Sequence, residues 1–254
     1  MADLRYTKQH KGNLHWLTNQ DFPLLNKEEV ERLIQKRKQE CEGEEVFPKI
    51  RTSRGAFWVI PIVDGKSKVI VRQYKRGGLI AKIFTKNFYC CPFLNWPTWR
   101  SYSEFKNALY LWENDFPIPR PLFAATRKVS SWRYQAFIGY EFLEGAQNLL
   151  VASEHLSFTR LSELFHQVGV QAFDMLRLGV MHNDLHVGNV LLLGENVFII
   201  DFDKSYRIDP QTDTSTCRMR LIERWRRSLR RHKMPEDLIE PYIEGLNYEM
   251  SGAI

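Results

Sequence analysis

The chain has 254 residues, of which 44% are hydrophobic and 26% charged, enough for one large domain or two small lobes and too apolar for a disordered chain. No run reaches the roughly 18–20 apolar residues of a membrane-spanning helix. The opening MADLRYTKQHKGNLHW has no apolar stretch of signal-peptide type, so a cytoplasmic location is expected. The net charge is +6, and residues 218–233 (RMRLIERWRRSLRRHK), with eight Lys/Arg against one Glu, account for the whole excess. Such a patch favours an anionic partner: nucleic acid, a phosphorylated substrate or an acidic membrane surface. The four cysteines (Cys41, Cys90, Cys91 and Cys217) contain no CxxC pair and suggest neither a disulfide framework nor a zinc site.

In chain order, residues 27–40 read as a surface helix with Val30, Leu33 and Ile34 on one stripe and Asn26 as N-cap. Residues 55–75 read as a β-hairpin: GAFWVIPIV, an Asp64-Gly65 turn, then KVIVRQY. Gly77-Gly78 marks a second turn before LIAKIF. Residues 101–114 form a helix with Phe105, Ala108, Leu109 and Trp112 on one face; Ser101 and Glu104 have capping-box spacing. PIPRP (117–121) ends that helix, and 133–143 form another strand before a Glu144-Gly145 loop. Residues 159–178 are the longest amphipathic helix, with Leu161, Leu164, Phe165, Val168, Ala172, Met175 and Leu176 as its buried stripe. Two short strands, 190–193 and 197–200, flank a Gly194-Glu195-Asn196 turn, and the basic helix follows near the end. The order predicts an α+β chain: an N-terminal extension over 1–48, a β-rich lobe over 49–143 and a helix-rich lobe over 144–254. A ligand site is expected in the cleft between the lobes.

The chemistry concentrates in VMHNDLHVGNVLLLGENVFIIDFDKS, residues 180–205. A tight hairpin brings together its own ends, so Asp184, Asn189 and Asp201 can converge. One Asp and one Asn supply oxygen ligands of the kind Mg²⁺ takes, and a second Asp can orient and deprotonate an alcohol. Those are the parts that phosphoryl transfer needs. Two other readings compete: a polar turn with satisfied carboxylates, and a hydrolytic metal site from His182, Asp184 and His186 in an HxDxH array.

The pattern H-x-D-x-x-x-x-N followed by D-F-D resembles the catalytic loop and metal motif of kinases. The resemblance implies a bilobal protein-kinase-like fold, ATP and Mg²⁺, Asp184 as catalytic base, His182 as its support, and Asn189 and Asp201 as metal ligands. In the kinase strand that reads V-A-I-K, this chain has Val69-Ile70-Val71-Arg72. Arg72 is the candidate phosphate contact, with Lys75 and Lys82 as alternatives, since arginine and lysine are not interchangeable there. Glu104 is either its ion-pair partner or a capping-box residue. The glycine-rich loop is reduced to Gly55 within RTSRGAFW, and Glu141–Glu144, with Glu141 and Leu143, fall where a hinge would meet adenine or where a strand simply ends.

The wider pattern resembles the lipopolysaccharide-core kinases of Gram-negative bacteria, and among them the 3-deoxy-D-manno-octulosonic acid (Kdo) kinases. It is carried by RQYKRGGLIAKI (72–83), FLNWPTWRSYSEF (93–105), FPIPRPL (116–122), HNDLHVGNVLL (182–192), FIIDFDKS (198–205) and RWRRSLRR (224–231). The resemblance implies transfer of the γ-phosphate of ATP to the 4-hydroxyl of Kdo in Kdo-lipid A, at the cytoplasmic face of the inner membrane. Only 51 residues follow Asp203 and no A-P-E motif occurs, which favours a compact acceptor over a peptide. Leu221, Ile222, Trp225 and Leu229 form an apolar stripe beside the arginines, read either as an interfacial membrane helix or as a helix docked on its own lobe. The alternatives are a kinase for a core heptose, an aminoglycoside-like alcohol or a protein, or a weak pseudokinase serving as a membrane scaffold. Nucleic acid is disfavoured because no binding module surrounds the arginine helix.

Overall fold

The computed structural model describes residues 5–22, 25–35, 55–62, 67–74, 88–89, 100–130, 133–209 and 211–248. The chain divides into two compact units: Met1–Leu109 with Arg120–Phe142, and Tyr110–Pro119 with Leu143–Ile254.

The first unit is built on an antiparallel sheet. Its strands are β1 (Tyr6–Lys11), β2 (Leu14–Asn19), β3 (Gly55–Pro61), β4 (Lys68–Tyr74), β5 (Phe88–Tyr89), β6 (Pro121–Ser130) and β7 (Arg133–Glu141). The order is β1-β2-β6-β7-β4-β3, with β5 on the start of β7. The expected β3–β4 hairpin forms, with Ile60 opposite Val69 and Pro61 opposite Lys68, while its Asp64-Gly65 turn lies outside the described residues. The sequence reading assigned no strands to 6–19 or 121–130. β1 is an edge strand with Gln9, His10 and Lys11 exposed, so it shows no alternation. β6 begins at a proline and runs through a continuously buried Pro121–Thr126, which also hides a period of two.

Helix α1 (Lys27–Gln35) packs on one face of this sheet. Asn26 caps it by accepting the Glu29 N–H at 2.9 Å, as the sequence predicts. Its Val30, Leu33 and Ile34 join Trp16, Trp58, Ile60, Val69, Val71, Phe123 and Phe137 in one apolar cluster. The Trp58 indole N–H donates to the Leu33 carbonyl at 2.9 Å, so this ring keeps its polar atom satisfied inside the cluster. The opposite face carries Arg72, Tyr74 and, across the ladder, Tyr140, because side chains two apart on a strand share a face. Helix α2 (Arg100–Glu113) brings Glu104 to that face.

The second unit is helical around two small sheets. After β8 (Gln147–Asn148) and the short α3 (Leu149–Ala152) comes α4 (Phe158–Arg177), capped by Ser157 and burying every residue of its predicted stripe. Then come β9 (Val180–Met181), β10 (Val190–Leu193), β11 (Asn196–Ile199), β12 (Tyr206–Arg207), α5 (Thr214–Arg231) and α6 (Ile239–Leu246). In α5, Leu221, Trp225 and Leu229 are fully buried. Trp225 stacks on Tyr242 with centroids 4.7 Å apart and meets Phe165 edge-on at 5.2 Å. Three of the four residues of the expected apolar stripe are therefore spent on the helix's own unit, with Ile222 half-buried, which favours the docked-helix reading.

Helices α4 and α6 meet through two glycines. A Cβ on Gly169 would lie 2.2 Å from the Tyr242 carbonyl oxygen, and one on Gly245 would lie 2.1 Å from the His166 carbonyl oxygen. The obstacle on each side is backbone, so neither can be relieved by a rotamer change. Gly169→Ala and Gly245→Ala should each cost about 1–3 kcal/mol by forcing the helices apart. Chemical denaturation of the purified variants measures this; an unchanged midpoint contradicts the close contact.

Candidate active site

The segment from Val180 to Arg207 is a closed local structure. β9 and β12 pair at its two ends, with Met181 opposite Tyr206 and Val180 opposite Arg207. Inside them β10 and β11 form a hairpin with Val190 opposite Ile199 and Leu193 opposite Asn196. Asn196 thus belongs to the strand rather than to the expected three-residue turn. The turn is Gly194-Glu195, and Gly194 takes the positive φ of 58° that a two-residue hairpin demands. This register ends β11 at Ile199. Asn189 then precedes one strand and Asp201 follows the other, joined by the Ile200 N–H to Asn189 carbonyl bond at 3.0 Å.

His182 ties the candidate catalytic loop to that hairpin. Its ring is fully buried, its Nδ1 accepts the Asp184 N–H at 3.2 Å, and its Nε2 lies 3.0 Å from the Ile200 carbonyl oxygen. A carbonyl accepts, so Nε2 carries the proton and the ring is the neutral Nε2–H tautomer. Burial pushes its pKa down against the opposing pull of the Ile200 carbonyl, Asp201 and Asp184. Phe202 packs against the ring at 5.0 Å. With both nitrogens committed, His182 is not available as a metal ligand. Among the described residues no group of three His, Cys, Asp or Glu side chains is arranged to hold a metal, which weighs against the HxDxH reading.

Asn189 is buried, and its side-chain amide donates to the Asp184 carbonyl at 2.9 Å. That bond fixes the amide nitrogen and leaves the carbonyl oxygen as the ligand atom. Asp201 sits at φ 66°, a left-handed conformation rare outside glycine, at the turn from β11 into Phe202–Lys204. Such strain at a candidate ligand is a common mark of a functional position. An amide oxygen and a carboxylate on adjoining backbone suit Mg²⁺, which takes few protein oxygens.

The Asp184 carboxylate is held by two cations that the sequence reading gave no role. Lys204 Nζ is 2.5 Å from Oδ2, and Arg224 Nη1 is 2.7 Å from Oδ1. Burial by itself would raise the carboxyl pKa; the hydrogen bond and charge of Lys204, with His186 and Arg224, outweigh it and hold the group below its ordinary value. Arg224 comes from the basic helix, and Ser228, one turn on, accepts the Val187 N–H at 3.2 Å. Asn148 braces the loop from the other side, donating to the Gly188 carbonyl at 2.8 Å. The available signals were Lys204, three residues past Asp201, and the i, i+4 spacing of Arg224 and Ser228 beside the buried 221/225/229 stripe.

In the first unit, Arg72 and Glu104 form an ion pair in which Glu104 is buried. Tyr74 also donates to Glu104, Tyr140 donates to its other oxygen at 3.0 Å, and Arg72 donates to the Tyr74 hydroxyl at 3.1 Å. Burial, then the negative charge of Glu104, raises the Tyr140 pKa well above its usual value, so it stays a donor. The capping-box reading of Glu104 fails: the helix begins at Arg100, Ser101 lies inside it, and the carboxylate turns to the sheet. Gly55 opens β3 opposite Tyr74, whereas residues 51–54 and both Lys75 and Lys82 lie outside the described residues. Glu141 ends β7. Its N–H donates to Arg120 and that of Phe142 to Lys68, while the Leu143 carbonyl accepts from Ala146. Two of the three backbone donors across 141–143 are therefore engaged.

Glu104→Ala strips the acceptor from a guanidinium and two hydroxyls and should destabilise by about 3–5 kcal/mol in urea denaturation. A loss under about 1 kcal/mol would mean the cluster is solvated. His182 gives a pH signature. Its folded pKa lies below the unfolded value, so the unfolded chain binds more protons, and stability falls as pH drops below about 6.5 with a slope of up to about 1.4 kcal/mol per unit. His15, His186 and His232 are shifted the same way, so the comparison is with His182→Asn, which should flatten that slope by one histidine's share. Identical slopes in the two proteins would place His182 in solvent.

Comparison with known proteins bears on the same segment. The model of the lipopolysaccharide kinase (Kdo/WaaP) family matches residues 48–240. A 3-deoxy-D-manno-octulosonic acid kinase of Vibrio vulnificus (strain CMCP6) is 34% identical over 156 residues, covering 61% of this chain and 63% of that protein. One of Stenotrophomonas maltophilia (strain R551-3) is 31% identical over 209 residues, covering 79% and 78%. The match spans somewhat under two thirds of the length of the Vibrio relative. The solved structure of WaaP in complex with acyl carrier protein superposes with a TM-score of 0.52 at 15% identity, over 78% of this chain and 76% of that one, a likeness of fold. The α+β, protein-kinase-like fold expected from the sequence is thus found, and the chain belongs to the lipopolysaccharide kinase (Kdo/WaaP) family.

Proposed function

We propose that this protein transfers the γ-phosphate of ATP to the 4-hydroxyl of Kdo in Kdo-lipid A. The observation that supports the reading is the closed set of bonds joining His182, Asp184, Asn189 and Ile200, which fixes the backbone that carries Asp184, Asn189 and Asp201. The family and the relatives that it includes support the acceptor.

In this reading Asp184 accepts a hydrogen bond from the acceptor hydroxyl and aims its oxygen at the phosphorus. Phosphoryl transfer proceeds through a loose transition state, so orientation matters more than early deprotonation. A carboxylate held ionised by Lys204 and Arg224 is suited to that work. It receives the proton as the new O–P bond forms and the bond from the γ-phosphorus to the β-phosphate oxygen breaks, with ADP leaving. Asn189 and Asp201 would hold Mg²⁺, which supplies charge neutralisation for the phosphates. Arg72, fixed by Glu104, offers a guanidinium to the nucleotide phosphates, and Leu143 a backbone N–H to adenine. His182 does not touch the reactants; it fixes the backbone on which Asp184 and Asp201 stand.

Among the described residues no helix is long and apolar enough to cross a membrane. Contact with the cytoplasmic face of the inner membrane, where Kdo-lipid A is presented, would be electrostatic. Arg220 and Arg231 on α5 are exposed, as is Met219, whereas Leu221, Trp225 and Leu229 are buried.

The test is labelled ATP with Kdo-lipid A beside a heptose-bearing core. Label should enter Kdo-lipid A, and Asp184→Ala should lower kcat by at least about a thousandfold with the thermal midpoint little changed. Label in the heptose core alone would overturn the acceptor. A variant that keeps more than a few per cent of wild-type turnover would remove Asp184 from the chemistry.

A further inference from the structure

Two cations from different elements hold the candidate base, one on each oxygen. Lys204 is the last residue of the short turn that Asp201 opens, three residues after the proposed metal ligand. Arg224 reaches the other oxygen from the middle of α5. An ionised carboxylate oxygen has about two lone-pair sites, so a hydroxyl can share Oδ1 with Arg224. A hydroxyl hydrogen-bonded to that oxygen at the usual ~2.7 Å would sit no more than roughly 5–6 Å from the guanidinium. Any acceptor seated there is read by Arg224 as well as by Asp184.

The bond to Asp184 uses one of the five guanidinium N–H donors. The planar fork is matched to a carboxylate, while an ammonium is a point charge suited to phosphate. The Arg224 side chain is 31% exposed, enough to be reached and little enough to escape full screening by water. It is also held in place: Ser228, one turn along the same helix, is buried and accepts the Val187 N–H of the catalytic loop.

We propose that Arg224 is a specificity-determining residue that binds a carboxylate on the acceptor sugar beside the hydroxyl that is phosphorylated. The inference rests on the Kdo reading, because Kdo is a sugar acid and a heptose is not. The basic helix then has a second task besides covering its unit: it selects an acidic acceptor over a neutral one at the base itself.

The experiment compares Kdo-lipid A with the same glycolipid whose Kdo carboxylate has been converted to a primary amide. The wild-type chain should prefer the acid by at least about tenfold in kcat/KM, the worth of a charge-assisted hydrogen bond. Arg224→Gln also removes a partner of Asp184 and so lowers kcat for both acceptors; in addition it should bring the acid-to-amide ratio of kcat/KM from at least about tenfold down to near one, through the KM for the acid. The KM for ATP should hold within about twofold. Arg224→Lys, which keeps the charge without the fork, should recover part of the preference. A wild-type ratio near one overturns the inference whether or not any variant folds. So does a variant that weakens both acceptors equally, and either result leaves Kdo phosphorylation standing. A wild-type chain that labels neither glycolipid overturns the Kdo reading and this inference with it.

Discussion

One buried imidazole joins the Asp184 loop to the hairpin that leads into Asp201. His182 accepts the Asp184 N–H on one nitrogen and donates to the Ile200 carbonyl through the other. Those two backbone groups belong to residues 16 apart in the chain, at opposite ends of the candidate chemistry. A neutral ring with one donor and one acceptor is the side chain that can satisfy both at once. The β9–β12 ladder closes the same segment from outside, and the Asn189 amide closes it from within. The backbone that carries Asp184, Asn189 and Asp201 is therefore fixed by two buried side chains bonded to main-chain groups together with the strand ladder.

The first unit solves a different problem, that of keeping an ionised carboxylate in a buried setting. Glu104 meets one guanidinium and two phenols there, enough donors to replace lost water. Arginine in place of the lysine usual in kinases makes sense in this company. Its planar head can reach Glu104 and the Tyr74 hydroxyl together, and it lies 4.7 Å over the Tyr74 ring. Strand periodicity creates the cluster: Arg72, Tyr74 and Tyr140 share a face because the β4–β7 register sets Ile70 opposite Tyr140.

The basic helix shows how one amphipathic pattern can serve two masters. Leu221, Trp225 and Leu229 fill the core of the second unit, and the neighbouring face presents Arg224 and Ser228 to the Asp184 loop. Part of what looks in composition like a generic anionic-surface patch is thereby tied to a single carboxylate. The remaining arginines are partly balanced within the helix and just beyond it, as in the Arg227–Glu223 and Arg230–Glu236 pairs.

The sequence by itself determined the elements whose signals are local. The cap at Asn26, the stripe of α4, the β10–β11 hairpin and the spacing of His182, Asp184, Asn189 and Asp201 are all written in runs of a few residues, where periodicity and turn chemistry act directly. β1 and β6 were missed because an edge strand and a strand buried over its first half lack alternation. Only the tertiary structure decided which side chains meet. Glu104 had two local readings, and the partners on β4 and β7 chose between them. The apolar stripe of α5 suited a membrane or a protein core equally well, and Phe165 with Tyr242 supplied the core. Lys204 and Arg224 carried no signal beyond charge, because a contact between residues 20 and 40 positions apart depends on how the chain folds back. Spacing along the chain marks the candidate site, and long-range packing decides what surrounds the Asp184 carboxylate.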